Sequence, residues 1–327
     1  MLAPQKYFFI LMLLGPALSG PTELTASGRK GIVVKFLLTF PQPAASTVPL
    51  SQPQALAIDP EGHIYVVDSG NHRIVKFDAS GNVVRTVGGF GWEREQFDRP
   101  LDITAKTGLD LFVADFNNER IERYDLNLNF ISSFYSDHSI PASLQFGFPG
   151  GVDISRHGEI FIVDNENNRI LKLNVEGSPD LSFGDFNWGA GQLQQPAKIE
   201  VSASDQVFVS DQKSNQIVVF DYYGNFVNRF GDDVLRHPRG LTVSPDGNLY
   251  VADTGHHRVA VFSSDSQFIF SWGDYGDKIG AFNHPLDVGV HKNRIYVLDS
   301  GNSRVQVFEL AENSTNSRNR DGEEEGH

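Results

Sequence analysis

An aspartate recurs six times along this chain at intervals of 42 to 49 residues, as Asp68, Asp115, Asp164, Asp211, Asp253 and Asp299, each followed by a polar turn and a short apolar run. A proline stands fourteen or fifteen residues before each one: Pro53, Pro100, Pro149, Pro196, Pro238 and Pro285. Three residues before each proline is a large apolar residue, in order Leu50, Phe97, Phe146, Leu193, Leu235 and Phe282. Self-similarity at this period specifies an array or a propeller, because a unit of this size cannot bury its apolar faces alone.

The first unit shows the parts. Gln54–Ile58, Ile64–Val67, Arg73–Phe77 and Val83–Val87 are rich in β-branched and aromatic residues, and the turns Asp59–Gly62, Asp68–Asn71 and Asp78–Gly81 separate them. Four such runs predict an antiparallel meander, with strands called a to d below. Radial stacking of six four-stranded sheets gives an all-β, six-bladed β-propeller. The sixth unit ends with strand c at Phe308, while residues 31–40 have the length and apolar character of a strand d. These residues are therefore expected to complete the last blade and remove an exposed sheet edge.

At each b–c turn the pattern Asp-x-x-Asn-x-Arg has a mechanical meaning. The carboxylate accepts turn amides, and the arginine that opens strand c (Arg73, Arg120, Arg169, Arg258 and Arg304) offers a fork of donors for that carboxylate and for turn carbonyls. Blade 4 has Ser214 and Gln216 in place of the Asn and the Arg, so it is expected to lack the charged tie.

These landmarks resemble the NHL repeat family over residues 31 to 310. The segments Gly88–Trp92, Gly184–Trp188 and Trp272–Gly276 between blades resemble it too. The resemblance implies fold more than function. Trp92, Trp188 and Trp272 are not followed by Asp, so the WD dipeptide of another propeller class is missing.

Before the ring, Lys6, an apolar run from Tyr7 towards Leu18 and the small-residue site Ala17–Ser19 predict a secretory signal peptide over 1–19, too short for a stable membrane span. The expected layout is then a linker over 20–30, the propeller over 31–310 and a disordered acidic tail over 311–327, in a secreted or periplasmic monomer. Asn313-Ser-Thr315 is a glycosylation acceptor sequence. Cysteine is absent, which removes disulfides, thiol catalysis and zinc–thiolate sites. A net charge of −14 with no Lys/Arg cluster disfavours nucleic acid as a partner.

No phosphate loop, nucleophile elbow or His-Glu-x-x-His motif occurs. Two constellations remain. The b–c and d–a connections emerge at one end of a propeller, here the top, and on blades five, six and one they carry His72, His237, His256, His257 and His284. Such an arc suits zinc or surface histidines alike. The second set is on strand a, where alternate residues face the axis; among them are the acids Asp102, Asp153, Glu200 and Asp287, with Lys198 as their one cation. They are expected to be hydrated or to share a calcium-like cation.

Two other kinds of six-bladed protein, the second without matching motifs in this chain, set the alternative, a metal-dependent lyase or hydrolase. In peptidylamidoglycolate lyases histidines directly after the repeat proline hold zinc, and lactonases hold an axial calcium. Here the positions after proline are Gln54, Leu101, Gly150, Ala197, Arg239 and Leu286, with no histidine. The leading expectation is a binding module without chemistry of its own, holding a protein, a peptide or an envelope glycan on the top face. The d–a connections differ between blades and carry aromatics, so the expected ligand-binding residues are Arg239, His256, His257, Lys213, Trp188, Trp92 and Trp272.

Overall fold

The computed structural model describes residues 22–28, 32–41, 48–187 and 189–312. In blade 1, strands a to d are Ala55–Ile58, Ile64–Asp68, Arg73–Phe77 and Val83–Gly88, paired in chain order. The same antiparallel meander recurs in five further sheets. The innermost strands a of blades 2 to 6 are Pro100–Thr104, Pro149–Ile154, Pro196–Val201, Pro238–Val243 and Pro285–His291.

Blade 6 closes as the apolar run at 31–40 predicts. Ile32–Phe40 pairs antiparallel with strand c of blade 6, Arg304–Glu312, from Phe40 opposite Val305 to Ile32 opposite Glu312. The two ends of the chain thus share one sheet, and every blade has its four strands.

Residues 22–28 differ from the linker expected there. Glu23–Thr25 adds a fifth, outermost strand to blade 6 by pairing with Val33–Lys35. Ser27–Gly28 then pairs with Phe270–Ser271 on strand d of blade 5. The segment is a strap across the outside of two blades. At the other end strand c runs on through Glu312, two residues past the expected border of the ring. Residues 1–19, expected to be a signal peptide, and the chain from residue 313 onward, with Asn313, lie outside the described residues.

Period-2 alternation puts one face of each sheet against the next blade, giving six buried apolar clusters, one per blade junction. This explains the apolar landmark before each proline. Leu50, Phe97, Phe146, Leu193, Leu235 and Phe282 are all buried, each in a different cluster. Among the described residues no helix is long and apolar enough to cross a membrane.

Candidate functional site

Each repeat arginine does what its donor fork suggests. Arg73, Arg120, Arg169, Arg258 and Arg304 give Nε–H to the repeat aspartate of their own blade, at 2.6 to 2.9 Å. Their outer nitrogens reach carbonyls of the connection that enters the blade, such as Pro49 (2.7 Å), Trp92 (2.9 Å), Val234 (2.6 Å) and Lys278 (2.9 Å). Blade 4 does lack an arginine on Asp211, but its connection is still tied. Arg229, on strand d, donates to the carbonyls of Ala190 and Gln192.

The histidine arc is mostly part of this frame. His256 occupies the Asn position of the repeat and shares a 2.9 Å hydrogen bond with Asp253 through Nδ1, as Asn71, Asn118 and Asn167 do with their own aspartates. His72 and His257 occupy the left-handed residue that closes the b–c turn, at φ 52° and 56°. Their Nδ1 atoms accept the amides of Arg99 and His284 on the next blade, both at 3.1 Å. Asn215 does the same for His237 with its side-chain oxygen, at 2.8 Å. These side chains clip one blade to the next.

Loop aromatics cover the clips: Phe90 lies against His72 and Tyr275 against His257, with ring centroids 5.1 and 4.9 Å apart. Burial first, and then the neighbouring His284, hold His257 below the ordinary histidine pKa. The arc is thus not assembled as a metal site. Among the described residues no three His, Cys, Asp or Glu side chains are placed to hold an ion.

The axial acids are engaged by lysines and backbone amides. Asp102 and Asp287 meet the Lys198 ammonium, Asp287 at 3.1 Å, across blades 2, 4 and 6. Lys106, from the a–b turn of blade 2, pairs with Asp153, lies 3.6 Å from Glu200 and donates to the Val201 carbonyl at 2.7 Å. Three of the acids also take a backbone amide from the next strand a: Asp102 from Val152 (2.9 Å), Asp153 from Val201 (2.6 Å) and Asp287 from Leu56 (3.0 Å). They are staples between neighbouring blades, and oxygens committed to amides and lysines do not fit an axial calcium.

The packing is close enough to require glycine at position 240. A Cβ there would stand 2.1 Å from Asp287 Oδ1. Burial raises Asp102 to about 6, against the opposing pull of Lys198, and raises Glu200 to about 8, against that of Lys106. For Lys198 burial alone would lower the pKa; Asp102 and Asp287 reverse this, and its pKa is raised.

The Asp102–Lys198–Asp287 triad forms the floor of the top opening. Towards the a–b turns the axis widens into a cavity of about 1130 Å³, lined by Lys106, Asp153, Glu200, Thr242 and apolar strand residues. At the top, the free volume above the triad is about 20 Å³. Its rim is formed by the six residues that follow the repeat prolines, Gln54, Leu101, Gly150, Ala197, Arg239 and Leu286. Strand a starts at the proline in each blade, so one residue per blade is delivered to the rim.

Arg239 is the charged member of that rim. Burial lowers its pKa from the ordinary arginine value, against the pull of Asp287, and nearby Arg99 lowers it further. Lys213 is exposed on the b–c turn of blade 4. Trp92 is exposed (72 %), as are Phe90 on the same d–a connection, Tyr135 at the end of strand d of blade 2, and Phe186 and Tyr275 on two other connections. Trp272 is not a surface anchor; it ends strand d of blade 5, buried against Phe270 and Phe308. Trp188 lies outside the described residues.

Sequence reasoning missed three charged groups. Lys106 stands where the a–b turns of blades 1 and 5 have Asp59 and Ser244, so a departure from the repeat was its signal. Arg229 had none. Glu122, buried on strand c of blade 2, receives Arg120 at 2.9 Å and the Tyr124 hydroxyl, and burial pushes it to about 7. A charge two residues after the repeat arginine, where the other blades have an uncharged residue, marked it.

With this geometry in place, comparison with known proteins recognises the repeat. The NHL repeat model matches residues 50–77, 146–173, 235–262 and 282–308, so blades 1, 3, 5 and 6 of this six-bladed β-propeller carry NHL repeats. It is 31% identical over 98 residues to Protein brain tumor of Drosophila melanogaster, covering 29% of this chain and 10% of that protein. It is 26% identical over 128 residues to the human E3 ubiquitin-protein ligase NHLRC1, covering 39% and 30%. It is 29% identical over 139 residues to the probable peptidyl-alpha-hydroxyglycine alpha-amidating lyase pgal-1 of Caenorhabditis elegans, covering 41% and 39%. The chain thus spans between a tenth and two fifths of these relatives. Among solved structures, the Xanthomonas campestris gluconolactonase XC5397 superposes with a TM-score of 0.62 at 15% identity, over 90% of this chain and 97% of that one, which shows the shared fold.

Proposed function

We propose that the ring is a binding module, acting outside the cytoplasm, whose top face holds a protein or peptide. One observation carries the reading. Phe90, Trp92, Tyr135, Phe186 and Tyr275 are 59 to 82 % exposed, and all lie on d–a connections or, for Tyr135, at the last residue of strand d, at one end of a rigid ring. Aromatics fixed on a scaffold in this way are the common anchors of protein recognition, since they bury much area for little lost entropy. The apolar segment from Tyr7 towards Leu18 supports export. A lyase or lactonase-like reading has no observation of its own here, because the rim positions that would hold a metal carry no histidine and the histidine arc is spent on clips.

Selection of phage-displayed peptides on the immobilised ring, run beside a glycan array, tests the proposal. Selected peptides are expected to bind less well after Trp92→Ala with Phe186→Ala and to be indifferent to Tyr223→Ala at the opposite end. Glycans as the only hits would overturn the ligand class. Hits lost on Glu200→Gln alone would move the site to the wide cavity.

A further inference from the structure

We infer that the rim of the axial opening is a carboxylate site, anchored by Arg239 and fitted to a peptide C-terminus whose last residue is apolar. This deepens the binding-module reading and rests on it. The first observation is the guanidinium itself. Arg239 carries five N–H donors, and among the described residues none of them has a hydrogen-bond or ion-pair partner, whereas the five repeat arginines are all engaged. A half-buried guanidinium with its fork unused is a ready receptor for a planar anion.

The second observation is where it stands. The rim brings one residue from each blade to a space of about 20 Å³, enough for one small group and no more. Leu101, Gly150, Ala197 and Leu286 make most of this rim apolar. A carboxylate on an apolar stem fits such a ring; a sugar acid, with hydroxyls on its carbons, would leave them unpaired against leucine. The acids below are occupied by Lys198 and by backbone amides. An entering carboxylate therefore meets Arg239 first, with Arg99 near enough to lower Arg239's pKa and so to add to the positive field. The exposed rings of Trp92, Phe90 and Tyr275 are left to cover the residues that precede the terminus.

Arg239 also balances the excess acid of the triad, and that role has to be separated from recognition. Charge balance needs one positive charge, whereas carboxylate binding needs the fork. The probes are N-acetyl-leucyl-leucine, its C-terminal amide and glucuronate, measured by calorimetry and ligand-detected NMR on the full chain. The free acid is expected to bind, the amide to be at least about tenfold weaker, and Arg239→Gln to abolish binding. Arg239→Lys should keep the melting temperature and still lose most of the affinity.

Equal binding of acid and amide would overturn the site, and so would a preference for glucuronate. Arg239→Lys binding as well as the wild type would reduce the residue to charge balance. If none of the probes binds while phage-selected peptides still do, the rim is not a carboxylate site and the binding module stands. If selection fails as well, both readings fall.

Discussion

At the scale of the residue, most of the polar chemistry on the top face holds the ring together. His257 accepts an amide of the next blade through Nδ1, and a protonated ring has no lone pair there. Its pKa lies below the unfolded value, so the unfolded chain takes up the proton first, and stability is lost as pH falls below about 6.5. Asn215 does the same work without titrating. His257→Asn is therefore expected to keep stability and lose the acid sensitivity, while His257→Ala costs about 1 kcal/mol; denaturant midpoints at pH 7.5 and 5.5 would show both. Arg120 is buried and satisfies Asp115, Glu122 and three loop carbonyls. Its replacement by Ala should cost about 1–3 kcal/mol through the acceptors left unpaired. Arg229→Ala should loosen the connection entering blade 4, seen as faster amide exchange around Ala190 and Gln192.

At the scale of the element, the N-terminal segment has two separable duties. Ile32–Phe40 supplies the missing strand of blade 6, and Val34 and Phe40 are buried in the junctions on either side. Glu23–Thr25 and Ser27–Gly28 strap the outer edge, with Leu24 and Ala26 packed on the rim of the blade 5–6 junction. A chain beginning at residue 42 is expected to lose the cooperative transition of the ring, since a bare edge and two opened junctions remain. A chain beginning at residue 32 should still melt cooperatively, a few degrees lower. Equal melting of the full chain and the chain beginning at residue 42 would mean that closure contributes nothing.

At the scale of the whole molecule, the axis is the unusual part, with four acids and two lysines packed where the six strands a converge. Glu200 is pushed to about 8 and Glu122 to about 7, both above the unfolded value, so the folded ring holds protons that the unfolded chain has released. Stability should therefore fall as pH rises from about 4.5 to 8, by at most about 1.4 kcal/mol per pH unit for each group. Glu200→Gln should flatten that slope and melt higher than the wild type at pH 8; identical profiles would count against a protonated Glu200. Blade number, ring closure, the role of the repeat arginines and the buried landmarks were legible in the chain, because a requirement repeated six times along a sequence is local to each unit and announces itself by its period. The side-chain partners were not. Lys106 finds Asp153 and Glu200 from two other blades, His257 finds the amide of His284 across a junction, and Trp272 is buried by Phe308 from the far end of the sequence. Such contacts are set by the radial packing of units remote in sequence, and only the closed ring decides which charge meets which, and that the guanidinium of Arg239 is left over.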